Sequence, residues 1–111
     1  MQNTSLKKKD YSYSLFLGHL TIEKILKAIY ADRLHNTPPY THRLIHLAEK
    51  ASLELNDEQI ELLETITDFN LEARYPDEKF SFKKQYTRSF TEDYLKKIEV
   101  MRKWLLKLIL Q

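Results

Sequence analysis

With 111 residues the chain has room for one domain and one hydrophobic core, with little apolar surface to spare. It holds no cysteine, which excludes a disulfide framework, thiolate metal sites and thiol nucleophiles and points to a cytoplasmic protein. Its 18 Lys and Arg stand against 16 Asp and Glu, so a net charge of +2 leaves no global footprint for nucleic acid and any basic surface is local.

Met1 to Asp10 carries charge but no apolar stretch of the kind a signal peptide needs. Near the C-terminus, Trp104-Leu105-Leu106 is cut at Lys107 before Leu108-Ile109-Leu110, far short of the roughly 20 residues of a membrane span. One glycine and three prolines give little punctuation, which favours a few long helices over the many turns of an all-β fold.

The first helix is expected from about Leu6 or Asp10 to about Leu34, with Leu15, His19, Ile22, Leu26 and Ile29 forming one buried stripe. Gly18 lies inside it, where glycine costs about 1 kcal/mol relative to alanine, so a close helix crossing is expected there. Pro38-Pro39 stops any helical path from Asn36. Thr41 is then placed to cap a second helix reaching about Leu53, with Leu44, Leu47, Ala48 and Ala51 inside.

Asn56 and Gln59 form a capping-box pattern for a third helix, whose Ile60, Leu63, Ile66 and Leu71 carry the apolar face to about Glu72 or Ala73 before Pro76. From Asp77 to Ser89, Phe80, Phe82 and Tyr86 alternate with Lys83, Lys84 and Arg88, a pattern suited to a short helical turn or an aromatic-anchored loop. Thr91, Glu92 and Asp93 read as the start of the last helix, which runs to about Leu110. Tyr94, Ile98, Met101, Leu105 and Leu108 make its main stripe, and Val100, Trp104 and Ile109 widen it beyond one intramolecular contact. A second contact surface is implied, centred on Val100, Trp104 and Leu108, with a homodimer as its simplest user and a different protein as the next. Short connections between four helices imply an up-and-down antiparallel four-helix bundle, with residues 1–111 as a single domain.

His42 and His46 have the four-residue spacing that would put two imidazoles on one helical face for a metal. No Glu completes a zinc-protease pattern, Arg43 lies between them and no third ligand stands out, so neither metal nor cofactor is expected. His19 and Glu23 also share a face, the geometry of a general-base pair, but no nucleophile accompanies them and a satisfied core histidine is the expectation. Glu23, with Lys24 and Lys27, is placed to orient the Arg74 region by an ion pair.

Arg74, before Tyr75-Pro76-Asp77, has a planar fork that suits a phosphate or a structural carboxylate. If a nucleotide binds, Arg74 is the first candidate contact, with His42 and Arg43 as second ones. Lys83, Lys84, Tyr86 and Arg88 interleave basic and aromatic residues, a composition suited to stacking bases beside phosphates, and Lys96, Lys97, Arg102, Lys103 and Lys107 extend positive charge along the last helix, although such a run is most often a solvated face. A single glycine rules out a Gly-rich phosphate loop.

Three phrases in fixed order carry a family resemblance: Gly18-His19-Leu20-Thr21-Ile22-Glu23-Lys24-Ile25-Leu26-Lys27-Ala28, Pro38-Pro39-Tyr40-Thr41-His42, and Ala73-Arg74-Tyr75-Pro76-Asp77. Together they resemble the HEPN family. The resemblance implies a helical bundle, frequent dimerisation and pairing with a small nucleotidyltransferase as toxin and antitoxin or a related two-component module, with nucleotide or RNA as a further ligand. It also implies an additional helix before the Gly-His-Leu phrase, and the few residues ahead of that phrase point either to an N-terminally minimal version of the bundle or to an N-terminal part that has been lost.

Some family members are metal-independent ribonucleases that pair an Arg with a His four to six residues on. Here the pairs Arg33 to His35, Arg43 to His46 and Arg33 to His42 all miss that spacing, and Arg74, Arg88 and Arg102 have no histidine downstream. The expectation is therefore a non-catalytic binding module. Its rivals are a divergent ribonuclease toxin using His42, Arg43 and His46, and a purely structural accessory subunit.

Overall fold

The computed structural model describes residues 8–74 and 87–110, with the backbone alone at 8–10, 12, 72–74 and 110. The described residues form four helices, α1 (Lys8–Leu34), α2 (Leu44–Lys50), α3 (Asp57–Arg74) and α4 (Arg88–Leu110), and no strand. The chain is all-α, and none of these helices is long and apolar enough to cross a membrane.

α1 is the spine, packed against each of the other three. Its stripe of Leu15, His19, Ile22, Leu26 and Ile29 is buried as its periodicity demands, against Leu44 and Leu47 of α2, Leu63 and Ile66 of α3, and Ile98, Met101 and Leu105 of α4. Gly18 marks the crossing with α4: a Cβ built there would stand 2.8 Å from Ile98 Cδ1.

The connection between α1 and α2 decides the topology. His35 adopts a left-handed backbone, φ 52°, and donates its N–H to Ala31 O at 2.9 Å, ending α1 and turning the chain. Residues 35–43 then run back beside α1 until His42 lies against His19. The rise from His19 to Arg33 is about 21 Å, which nine residues at about 3.3 Å each can retrace. α2 therefore climbs alongside α1, and Arg33 at the top donates to Ala51 O at 3.3 Å. α3 descends, bringing Asn70 to His19, and α4 runs opposite to α3, so direction alternates from α2 onward.

Three helix starts and stops differ from the sequence expectation. α2 begins at Leu44, with Arg43 at the cap position, because the Thr41 hydroxyl accepts from Arg43 N–H at 3.1 Å and caps a turn ahead of the helix. The first helical N–H, on Leu44, is instead satisfied across the core by Thr67 Oγ1 at 3.2 Å. α2 ends at Lys50 and not near Leu53: Ser52 at φ 61° donates to Glu49 O and Leu53 N–H donates to Ala48 O, the Schellman pattern. α4 starts one turn early, because Thr87 is its cap, accepting from Phe90 N–H at 3.0 Å, while Thr91 is fully buried inside the helix.

The start of α3 follows its sequence signature. Asn56 N–H donates to Gln59 Oε1 at 2.9 Å and Gln59 N–H to Asn56 Oδ1 at 2.8 Å, a reciprocal capping box. On α3, Ile60 is 39 % exposed and Phe69 is buried in the core. Phe69 meets Phe90 and Tyr94 of α4 edge-on, at centroid distances of 6.2 and 5.6 Å. Expectations for Lys83, Lys84, Tyr86 and the rest of 75–86 lie outside the described residues.

Candidate functional site

Spacing of four residues on α1 puts His19, Glu23 and Lys27 on one face, one turn apart. His19 is fully buried, Glu23 is buried and Lys27 reaches in from the edge. The carboxylate is shared: Lys27 Nζ donates to Oε2 at 2.7 Å, and His42 Nδ1–H donates to Oε1 at 3.0 Å. Burial opposes the charge on Glu23, but the hydrogen bonds and positive charge of Lys27 and His42 outweigh it and hold the carboxyl below its usual range.

His19 completes the node from below. A main-chain carbonyl only accepts, so His19 Nε2 carries a proton and donates it to His42 O at 2.9 Å. Its other nitrogen accepts from Asn70 Nδ2 at 3.4 Å and stands 3.6 Å from Glu23 Oε1. Asn70 is 1 % exposed, and its Oδ1 has no hydrogen-bond partner among the described residues. Above the node, the ring of Tyr40 meets His42 edge-on at 5.7 Å, with Tyr40 itself 90 % exposed.

This arrangement is a clasp. The first and second family phrases are bonded to each other, and the polar atoms they share fix the 35–43 segment on α1. His19 is the satisfied core histidine that its position in the apolar stripe implies. Glu23, expected to orient Arg74, is taken up by Lys27 and His42, and the Arg74 side chain lies outside the described residues at the end of α3.

The other sequence candidates are not gathered at this clasp. His42 precedes α2, so it shares no helical face with His46, and the metal spacing read from the sequence does not exist as a helix geometry. The His42 ring turns to Glu23, while Arg43 reaches the opposite way to Glu64 at 3.8 Å as an exposed pair worth little. Among the described residues no three His, Asp or Glu side chains are grouped to hold a metal ion. Sequence reasoning missed Asn70 and Thr67, polar residues on the inner face of α3, and their one signal was a break in that helix's apolar pattern.

A second feature lies between the first turns of α3 and the middle of α4. There an open groove of about 590 Å³ runs between Gln59 and Leu62 on one side and Tyr94, Val100, Met101 and Trp104 on the other. Val100 is 69 % exposed at its rim, Trp104 is half-buried in its wall and Leu108 is half-buried one turn on.

An all-α bundle with a buried clasp built from a Gly-His-Leu helix and a Pro-Pro-Tyr-Thr-His return defines a small helical domain. The HEPN domain model matches residues 2–109, and the chain belongs to that family. Comparison with curated proteins and with solved structures returns no significant match.

Proposed function

We propose that this chain is a non-catalytic, cytoplasmic HEPN binding module that dimerises and pairs with a nucleotidyltransferase-type protein in a two-component, toxin–antitoxin-like system. The observation that carries this reading is the uncovered α4 face, where Val100 stands 69 % exposed beside Trp104 along an open groove. The clasp supports the non-catalytic half: the imidazoles and carboxylate that could have done acid–base work hold the chain together instead. Val100, Trp104 and Leu108 form the association surface in this reading. Arg74, with His42 and Arg43 as second contacts, is what this reading offers to a nucleotide or RNA.

Two measurements test it. The tagged chain co-expressed with a candidate nucleotidyltransferase should elute with it at fixed stoichiometry. Light scattering of the Trp104→Glu variant should give a smaller assembly that is still a folded, cooperatively melting protein. Recovery of the chain without the transferase, together with metal-independent RNA cleavage that is lost in a folded His46→Ala protein, would overturn the proposal in favour of an enzyme.

A further inference from the structure

Among the described residues no large apolar or aromatic side chain is as exposed as Tyr40, at 90 %. The segment that carries it is nonetheless held on both sides. Pro38 and Pro39 fix their own backbone angles just ahead of it. Just after it, the Thr41 hydroxyl accepts from Arg43 N–H, and His42 is gripped at its ring by Glu23 and at its carbonyl by His19. A bare ring on a segment ordered by the fold has already lost the freedom that a ligand would otherwise have to remove.

The clasp also fixes the chemistry of the imidazole next to that ring. The Glu23 carboxylate only accepts, so the His42 proton lies on Nδ1 and the neutral ring offers a lone pair at Nε2. Nε2 has no hydrogen-bond partner among the described residues, yet it is not a buried polar atom, and the side chain is 30 % exposed. Such a lone pair is matched by a donor. Ionised phosphate oxygens only accept, whereas nucleobase amino groups and ribose hydroxyls donate. The Tyr40 and His42 ring centroids are 5.7 Å apart, so one nucleoside spans both.

The surrounding charge favours the same ligand. From Lys24 to Lys50, the stretch that holds the end of α1, the return segment and α2, five Lys and Arg stand against Asp32 and Glu49. From Asp57 to Asp68, α3 has five carboxylates and no Lys or Arg. The small net charge of the whole chain conceals this division, which draws an anionic ligand toward the return segment.

We propose that Tyr40 and His42 form a nucleoside subsite, in which the Tyr40 ring stacks on an unpaired base and His42 Nε2 accepts a hydrogen bond from the base amino group or the ribose. The ligand is a nucleoside phosphate, free or within single-stranded RNA, and the inference rests on the nucleotide part of the proposed function. It gives His42 the nucleoside end of the ligand and leaves the phosphate to Arg74 and the other cations.

Adenosine, which has no phosphate, is the discriminating probe. Added to the full chain, it should shift the Tyr40 and His42 ring resonances in NMR spectra, and inorganic phosphate at equal concentration should leave both in place. Tyr40→Ala should weaken AMP binding about tenfold or more, as removal of a stacking ring does, and Tyr40→Phe should stay within about twofold of wild type. Both variants should fold, because the replaced ring is exposed. An oligoadenylate of about ten nucleotides that binds more tightly than AMP identifies single-stranded RNA as the source, and equal affinity identifies free nucleotide. Phosphate that moves His42 while adenosine moves neither ring, or a folded Tyr40→Ala protein with wild-type affinity for AMP, overturns the subsite. If Arg74→Ala abolishes AMP binding in that case, the nucleotide reading survives without it. A wild-type chain that binds neither AMP nor the oligoadenylate overturns both.

Discussion

Glu23 and His42, 19 positions apart in sequence, meet at 3.0 Å between Oε1 and Nδ1, and through this contact the extended 35–43 segment is fixed to α1. The His42 carbonyl accepts from His19 Nε2–H one turn earlier on the same helix, so a single loop residue is gripped by both its ring and its backbone. Glu23→Gln keeps the shape but removes the charge that Lys27 and His42 address, and should cost about 2 kcal/mol at neutral pH. The pH dependence has a definite sign. The Glu23 carboxyl is held below its usual range, so its contribution is complete above the ordinary glutamate value of about 4.3 and is lost as pH falls through the depressed folded value. Urea unfolding of both proteins should show a gap that closes in strong acid, as Glu23 protonates; a gap that persists there would contradict the assignment.

Thr67 serves as a remote cap. Its hydroxyl accepts from Leu44 N–H at 3.2 Å and donates to Leu63 O at 2.9 Å, so one buried side chain links the start of α2 to the middle of α3. Thr67→Val preserves volume and leaves the fully buried Leu44 amide without a partner, a change expected to cost about 1–3 kcal/mol. Thr67→Ser should recover most of that. Hydrogen exchange reads the effect locally: the Leu44 amide should lose protection in the valine variant more than its neighbours do. Equal protection in both variants would remove the capping role.

Local pattern makes the helices legible, and long-range contact makes the clasp illegible. The α1 stripe, the Asn56–Gln59 box and the crossing at Gly18 depend on residues a few positions apart, or on one glycine whose placement needs an external reason. Thr87 and Thr91, by contrast, each offer a hydroxyl one turn apart. What selects Thr87 is the burial of Thr91 against the core, which no local rule contains. His42 reads as helical in the sequence because Thr41 is a good cap, but its partners are 19 and 23 residues away on α1. The end of α2 is hidden for another reason, since Ser52 occupies a left-handed position that glycine would have announced.

That position yields a stabilising substitution. Ser52 has φ 61°, a conformation strained for a residue with a Cβ, while its N–H and that of Leu53 close the α2 terminus onto Glu49 and Ala48. Ser52→Gly should relieve the strain and stabilise the protein by about 1 kcal/mol, and Ser52→Ala should not. Because Ser52 is exposed, little packing is lost in either variant. Unfolding midpoints that rank alanine above glycine would contradict the left-handed assignment.

The Gly18–Ile98 contact separates helix propensity from packing. Gly18→Ala gains about 1 kcal/mol of intrinsic helix stability, but the new methyl would stand 2.8 Å from Ile98 Cδ1, inside the distance real Cβ atoms keep. Ile98→Val deletes that atom and leaves the nearest remaining neighbour, Cγ2, at an ordinary 3.5 Å. By itself the valine should cost about 0.5–1.5 kcal/mol for the lost methyl. In the wild-type background Gly18→Ala should therefore be neutral or destabilising, whereas in the Ile98→Val background it should stabilise by about 1 kcal/mol. Chemical denaturation of the four proteins gives the coupling, expected at about 1 kcal/mol or more in favour of the pair. Strictly additive changes would show that Ile98 Cδ1 swings aside without cost, and that Gly18 is not what lets the two helices approach.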